Sequence, residues 1–182
     1  MDRYAPLRRR TIALVGLMGV GKSSVGRRLA NALELPFRDA DAEVEAAAGR
    51  SIPDIFTDLG EDAFREGERR VIARLLDEGP HVLATGGGAF MNPLTRALIK
   101  SRAISVWLKA DLDILARRVS RKDTRPLLAG RDPLEVLQAQ ADARYGVYGE
   151  ADVTVETGDS AHHVTVEQVI RALTEHLAAR EP

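Results

Sequence analysis

Eight residues constrain this chain more than any other stretch: Gly16-x-x-x-x-Gly21-Lys22-Ser23, directly after the apolar run Ile12–Val15. The run reads as a buried strand, and apolar residues then recur at Val25, Leu29 and Leu33 with the period of a helix. Strand, glycine-rich turn and helix in that order form the phosphate-binding loop pattern. Gly16, Gly19 and Gly21 can take backbone angles closed to other residues and leave no side chain between main chain and phosphate. Their N–H groups then converge on an anion at a helix N-terminus, where the aligned peptide dipoles favour negative charge. Gly19, Val20, Gly21, Lys22, Ser23 and Ser24 are the expected nucleotide-binding set. Lys22 would reach the β- and γ-phosphates, and the Ser23 hydroxyl would bind Mg²⁺. The implied ligand is a nucleoside triphosphate.

The remaining chain alternates strands with helices. Strands are expected at 35–38, ending on Asp39-Ala40-Asp41, and at 81–85, 103–108 and 152–156. Helices are expected at 41–48, at a short segment opened by Ser51-x-Pro53, and at 61–78, where Phe64, Val71, Ile72, Leu75 and Leu76 share one side. Others follow Asn92-Pro93, Asp111 and Asp132-Pro133, and a terminal one is expected to start at Thr165. This pattern predicts a single α/β domain over 10–182: a three-layer, five-stranded parallel sheet with helices on both faces. Right-handed crossovers then put the ligand site at the carboxyl ends of the strands. Residues 1–9 are expected to be a flexible leader. Residues 120–131 carry four basic residues, a proline and a glycine with little periodicity. They fit either a mobile lid that closes over phosphates or an ordinary solvated loop.

Composition excludes several alternatives. The net charge of −1 offers no overall field for nucleic acid or membrane. Without cysteine there are no disulfides, thiolate metal sites or cysteine nucleophiles. No apolar run approaches membrane-spanning length, and MDRYAPLRRR lacks a signal-peptide core, so a cytoplasmic protein is expected. Lysine occurs only at positions 22, 100, 109 and 122, which leaves arginine as the main basic residue and the better fork for phosphate or carboxylate.

Outside the loop, the candidates for chemistry lie where strands end. Asp39 and Asp41 could direct one carboxylate to Mg²⁺ and the other to a substrate hydroxyl; Asp41 is equally well placed to cap a helix. Gly86-Gly87-Gly88 is a close-approach turn whose N–H groups could meet a substrate, or simply a tight turn. Arg65 borders the apolar stripe of its helix, and Arg144 lies near Tyr145 and Tyr148; surface positions suit either arginine as well. The four histidines are too scattered for a metal site, and Trp107 reads as core.

Taken together, GLMGVGKSSVGRRLA, DADAEVE, GRSIPDIF, FREGE, TGGGA, TRPLL and the arginine of ADARYGVY resemble shikimate kinase in order and spacing over residues 10–176. The resemblance implies a P-loop fold like that of nucleoside monophosphate kinases, with a lid at 120–131. It implies ATP-dependent phosphorylation of the 3-hydroxyl of shikimate, a step toward chorismate and the aromatic amino acids. In that reading Lys22 and Ser23 hold phosphates and Mg²⁺, and Asp39 approaches the metal. Asp41 binds the attacking hydroxyl, Arg65 and Arg144 clamp the shikimate carboxylate, and Gly86, Gly87 and Gly88 lie beside the ring hydroxyls. Arg125 swings in over the transferring phosphate, and Arg118 stacks on adenine. Where the family often has a proline on the other side of adenine, this chain has His162 or His163. The partners implied are ATP and shikimate, bound by a monomer, with neither nucleic acid nor membrane.

Two rival readings share the loop. A gluconate kinase-like enzyme would need neither Phe64-Arg65 with Glu68 nor the triple glycine. A nucleotide-hydrolysing regulatory switch would read guanine through Asn-Lys-x-Asp, but the only asparagines are Asn31 and Asn92, and neither precedes a lysine.

Overall fold

The computed structural model describes residues 2–121 and 130–180. Its centre is β1 (Thr11–Val15), in which all five residues are buried. Burial of consecutive residues, whose side chains alternate between faces, means that both faces of the sheet are covered. Each fully buried Ile, Leu or Val in such a strand contributes roughly 1.5–3 kcal/mol. The other strands among the described residues are β2 (Phe37–Asp39), β3 (Val82–Ala84), β4 (Ala103–Lys109) and β5 (Val153–Glu156). All neighbours pair in parallel, in the order β2-β3-β1-β4-β5.

The helices are α1 (Lys22–Leu33), α2 (Ala40–Ala48), α3 (Ile52–Asp77), α4 (Pro93–Arg102), α5 (Leu112–Ser120), α6 (Pro133–Tyr148) and α7 (His162–Ala178). Helix α1 packs with α7, α4 with β4 and α3, and α5 with α6. The chain leaves β1 toward β2 on one side and β3 toward β4 on the other, so β1 and β3 flank the point where the winding reverses. Open parallel sheets open a crevice there, beyond the carboxyl ends of the strands. Register brings the ends together, because Asp39 pairs with Ala84 and Ala84 with Leu14.

The break expected between two helices near residue 60 is present: Gly60, with φ 85° and ψ 170°, is non-helical and divides α3 into two limbs. Only glycine takes that angle pair without strain. Several boundaries differ from the sequence reading. Strand β2 starts at Phe37 rather than residue 35, since Pro36 has no N–H to donate. The Pro36 carbonyl nevertheless accepts from Val82 N at 2.9 Å. Helix α7 starts at His162 rather than Thr165, after Ala161 and without a capping side chain. Within the expected leader, Leu7 is buried in a 3-10 turn, and Arg8 Nε donates to the Leu33 carbonyl at 2.9 Å. Most of the expected lid, including Arg125, lies outside the described residues. Among the described residues no helix is long and apolar enough to cross a membrane.

Candidate active site

The phosphate loop owes its path to its glycines. A Cβ on Gly16 would stand 2.6 Å from the Leu108 carbonyl, and one on Gly19 would stand 2.8 Å from a Val119 methyl. Gly19 and Gly21 also have φ of 80° and 99°, in the left-handed region. Gly21 caps α1 with no side-chain hydrogen bond, so no capping side chain covers the helix N-terminus. Val20 is buried and anchors the loop, while Gly19, Gly21, Lys22, Ser23 and Ser24 line a cleft of about 570 Å³. Lys22 Nζ donates to the carbonyls of Gly16 at 2.6 Å and Leu17 at 3.0 Å, which folds the ammonium over the loop.

At the end of β2 the two aspartates have separate tasks. Asp39 Oδ1 accepts from the N–H groups of Asp41 at 3.0 Å and Ala42 at 3.3 Å, so Asp39 caps α2. Its other oxygen accepts from the Ser23 hydroxyl at 2.7 Å. The alternative in which Asp41 is the cap is thereby overturned. Asp41 instead lines the cleft and approaches Gly86, where a Cβ would stand 2.8 Å from its Oδ1. Burial pushes its pKa up, the Asp39 charge adds to the rise, and Lys22 partly offsets it.

The Gly86–Gly88 turn is held between charged groups on three elements. Beyond Asp41, a Cβ on Gly86 would meet Glu68 Oε2 at 3.1 Å. One on Gly87 would meet Arg144 Nη1 at 3.3 Å and the Gly16 carbonyl at 3.8 Å. One on Gly88 would overlap the Arg65 guanidinium. Any side chain here would displace these groups. Thr85 fixes the approach to the turn by donating its hydroxyl to the Leu14 carbonyl at 2.8 Å.

Arg65 and Arg144, on different helices, thus reach the same turn. Arg65 Nη1 donates to Glu68 Oε1 at 2.9 Å, one helical turn further along α3. Glu68 is 1% exposed, and its Oε2 has no partner among the described residues. Burial raises its pKa while Arg65 pulls it down. The sequence reading gave Glu68 no role, although a signal was present: it occupies an apolar-stripe position, four residues after Phe64 and three before Val71, where a charged residue is rare unless paired.

The far end of the cleft is formed after β4 and β5. Arg118 on α5 donates to the Gly158 carbonyl at 2.8 Å and the Gly19 carbonyl at 3.3 Å, which ties the phosphate loop to the segment after β5. His162 lines the cleft on that side with Ser160 and Ala161. Burial lowers the His162 pKa, and Arg28 and Arg118 add to the effect. Trp107 is core, 5.0 Å from the Tyr145 ring and 5.7 Å from that of Tyr148.

Among the described residues no group of three or more His, Asp or Glu side chains could hold a metal on its own. The Ser23–Asp39 pair supplies two oxygens beside the phosphate loop, which suits a hard cation whose remaining ligands are phosphate and water.

The family model for shikimate kinase matches residues 18–176. A shikimate kinase of Caulobacter vibrioides is 72% identical over 172 residues, covering 94% of this chain and 86% of the relative. One from Bradyrhizobium diazoefficiens is 53% identical over 180 residues, covering 99% and 87%. A solved shikimate kinase from Acinetobacter baumannii, in complex with shikimate, superposes with a TM-score of 0.89 at 35% identity and covers 98% of this chain and 99% of that one. With likeness of that degree in both sequence and fold over nearly its whole length, the chain belongs to the shikimate kinase family, enzymes that transfer a phosphoryl group from ATP to shikimate.

Proposed function

We propose that this cleft phosphorylates the 3-hydroxyl of shikimate, with ATP at the phosphate loop and the acceptor at the Gly86–Gly88 turn. The observation that carries the reading is the meeting of Arg65, Arg144 and Asp41 at one glycine turn whose middle residue also touches the phosphate loop. Two guanidiniums suit a small carboxylate, which each can bind through directional, charge-assisted hydrogen bonds. Asp41 then faces a hydroxyl on the same molecule. Its raised pKa makes it a better proton acceptor than an exposed carboxylate.

Phosphoryl transfer asks mainly for in-line positioning and cationic charge around the equatorial oxygens. Lys22 would leave the loop carbonyls for the β- and γ-phosphates as the nucleotide enters. Ser23 and Asp39 would hold Mg²⁺ beside the phosphates. When bound, the ion neutralises charge on the phosphates and orients the γ-phosphoryl group. Arg118 and His162 would flank the adenine. Arg125, outside the described residues, is assigned by resemblance to the transferring phosphate. Asp41 would accept the hydroxyl proton as its oxygen bonds to phosphorus, and the bond from the γ-phosphorus to the bridging oxygen breaks to leave ADP.

Release of ADP from Mg·ATP in the presence of shikimate, of gluconate or of neither tests the reading. Turnover that requires shikimate supports it. Equal turnover with gluconate would reassign the acceptor half of the cleft, and turnover indifferent to both would leave only a nucleotide site.

A further inference from the structure

Tyr148 ends α6 with its ring wholly buried, and its hydroxyl donates to the carbonyl of Gly87, a residue 61 positions earlier in the chain. That carbonyl has no other donor among the described residues, whereas those of Gly86 and Gly88 accept from Ala89 N and Met91 N. The phenol thus ties the peptide between Gly87 and Gly88 to α6. A trans peptide points its C=O and N–H in opposite directions. With the carbonyl drawn toward the buried end of α6, the Gly88 N–H faces away from Tyr148. No atom among the described residues accepts from it. Around it stand the groups assigned to the acceptor: Arg65 against Gly88, and Arg144 against Gly87.

We propose that Tyr148 is a positioning residue for the acceptor: by holding the Gly87 carbonyl against α6 it presents the Gly88 N–H as a fixed donor to an acceptor oxygen. Because Arg144 lies one turn before Tyr148 on α6, the same bond fixes the spacing between that guanidinium and the glycine turn. Without it, three consecutive glycines would sample many conformations, and ordering them would weigh against binding. The inference rests on the acceptor site proposed above.

Tyr148→Phe removes the hydroxyl and keeps the ring that packs on Trp107. Shikimate dissociation constant and KM should rise about five- to fifty-fold, the effect of one buried hydrogen bond on an ordered turn. ADP affinity should stay within about twofold. Tyr145→Phe, on the same helix but with no bond to the turn, should change neither. A Tyr148→Phe protein with a lower unfolding temperature but unchanged shikimate affinity would overturn the proposal, as would equal losses for both ligands. In the unaltered protein, exchange of the Gly88 amide should slow when shikimate binds, and absence of that protection would also overturn it. An unaltered protein that fails to bind shikimate at all would refute the acceptor assignment itself.

Discussion

The hydroxyl of Ser23 and the carboxylate of Asp39 are joined by a 2.7 Å hydrogen bond that links the start of α1 to the end of β2. Since the other Asp39 oxygen caps α2, one side chain both ends a strand–helix junction and addresses the phosphate loop. Two functions in one carboxylate can be separated by substitution. Asp39→Asn keeps a good N-cap, because an amide oxygen serves as well as a carboxylate oxygen there. It removes the charge proposed to face Mg²⁺. The unfolding temperature should move by no more than a few degrees, while the Mg²⁺ concentration for half-maximal rate should rise about 10–100-fold. An unchanged Mg²⁺ requirement would remove Asp39 from the metal site.

Asp41 combines burial with a neighbouring like charge, and both raise its pKa. The acid limb of kcat/KM should therefore lie above the ordinary aspartate value of 3.8, with activity lost as pH falls through it. The stability effect has the opposite sign. A folded-state pKa above the unfolded one means that the ionised carboxylate destabilises the fold, and this penalty disappears as pH falls through the folded-state value toward the unfolded one. Asp41→Asn should thus lower kcat by about 10²–10⁴-fold and raise the unfolding temperature at pH 7 by about 1–4 °C. Thermal melts of both proteins at pH 7 and pH 4.5 check the sign, since the difference should shrink in acid.

Arg65 partners the buried Glu68, so its removal has two separable effects. Arg65→Ala should weaken shikimate binding by about 10²-fold or more with ADP binding nearly intact. It should also destabilise the protein by about 1–3 kcal/mol, because Glu68 is left buried without its cation. Adding Glu68→Gln should restore much of the melting temperature and none of the shikimate affinity. Calorimetric titrations with each ligand and melts of the single and double variants decide this. A comparable loss of ADP affinity would contradict the division of the cleft.

Gly88→Ala tests the close approach directly. The new methyl would overlap the Arg65 guanidinium, which lies at the end of a flexible side chain and can shift. Stability should fall modestly as the Arg65–Glu68 pair is disturbed, while the KM for shikimate should rise roughly tenfold as Arg65 loses its geometry. Steady-state kinetics with shikimate varied at saturating ATP would show it.

Much of this site can be read directly from residues. The phosphate loop is a local pattern whose geometry its glycines dictate, and the strand–helix alternation around it leads to the sheet actually formed. The roles of Asp39 and Asp41 could not be divided that way. Spacing places both at a strand end, but which carboxylate turns back to cap α2 depends on side-chain torsions and on the Ser23 hydroxyl. Tyr148 was hidden for a related reason. A tyrosine on an apolar helix face looks like core, and only the tertiary fold brings its hydroxyl to Gly87. The break at Gly60 was legible, since the glycine between the two expected helices is the non-helical residue that kinks α3.

The most direct test is to identify the product. Incubation with Mg·ATP and shikimate, followed by phosphorus and proton NMR of the mixture, should show one equivalent of ADP per equivalent of shikimate carrying phosphate on its 3-hydroxyl. Phosphate on a different hydroxyl would show that Asp41 does not face the attacking oxygen. ADP accompanied only by free phosphate would contradict the assignment of the Gly86–Gly88 turn, Arg65 and Arg144 to the acceptor.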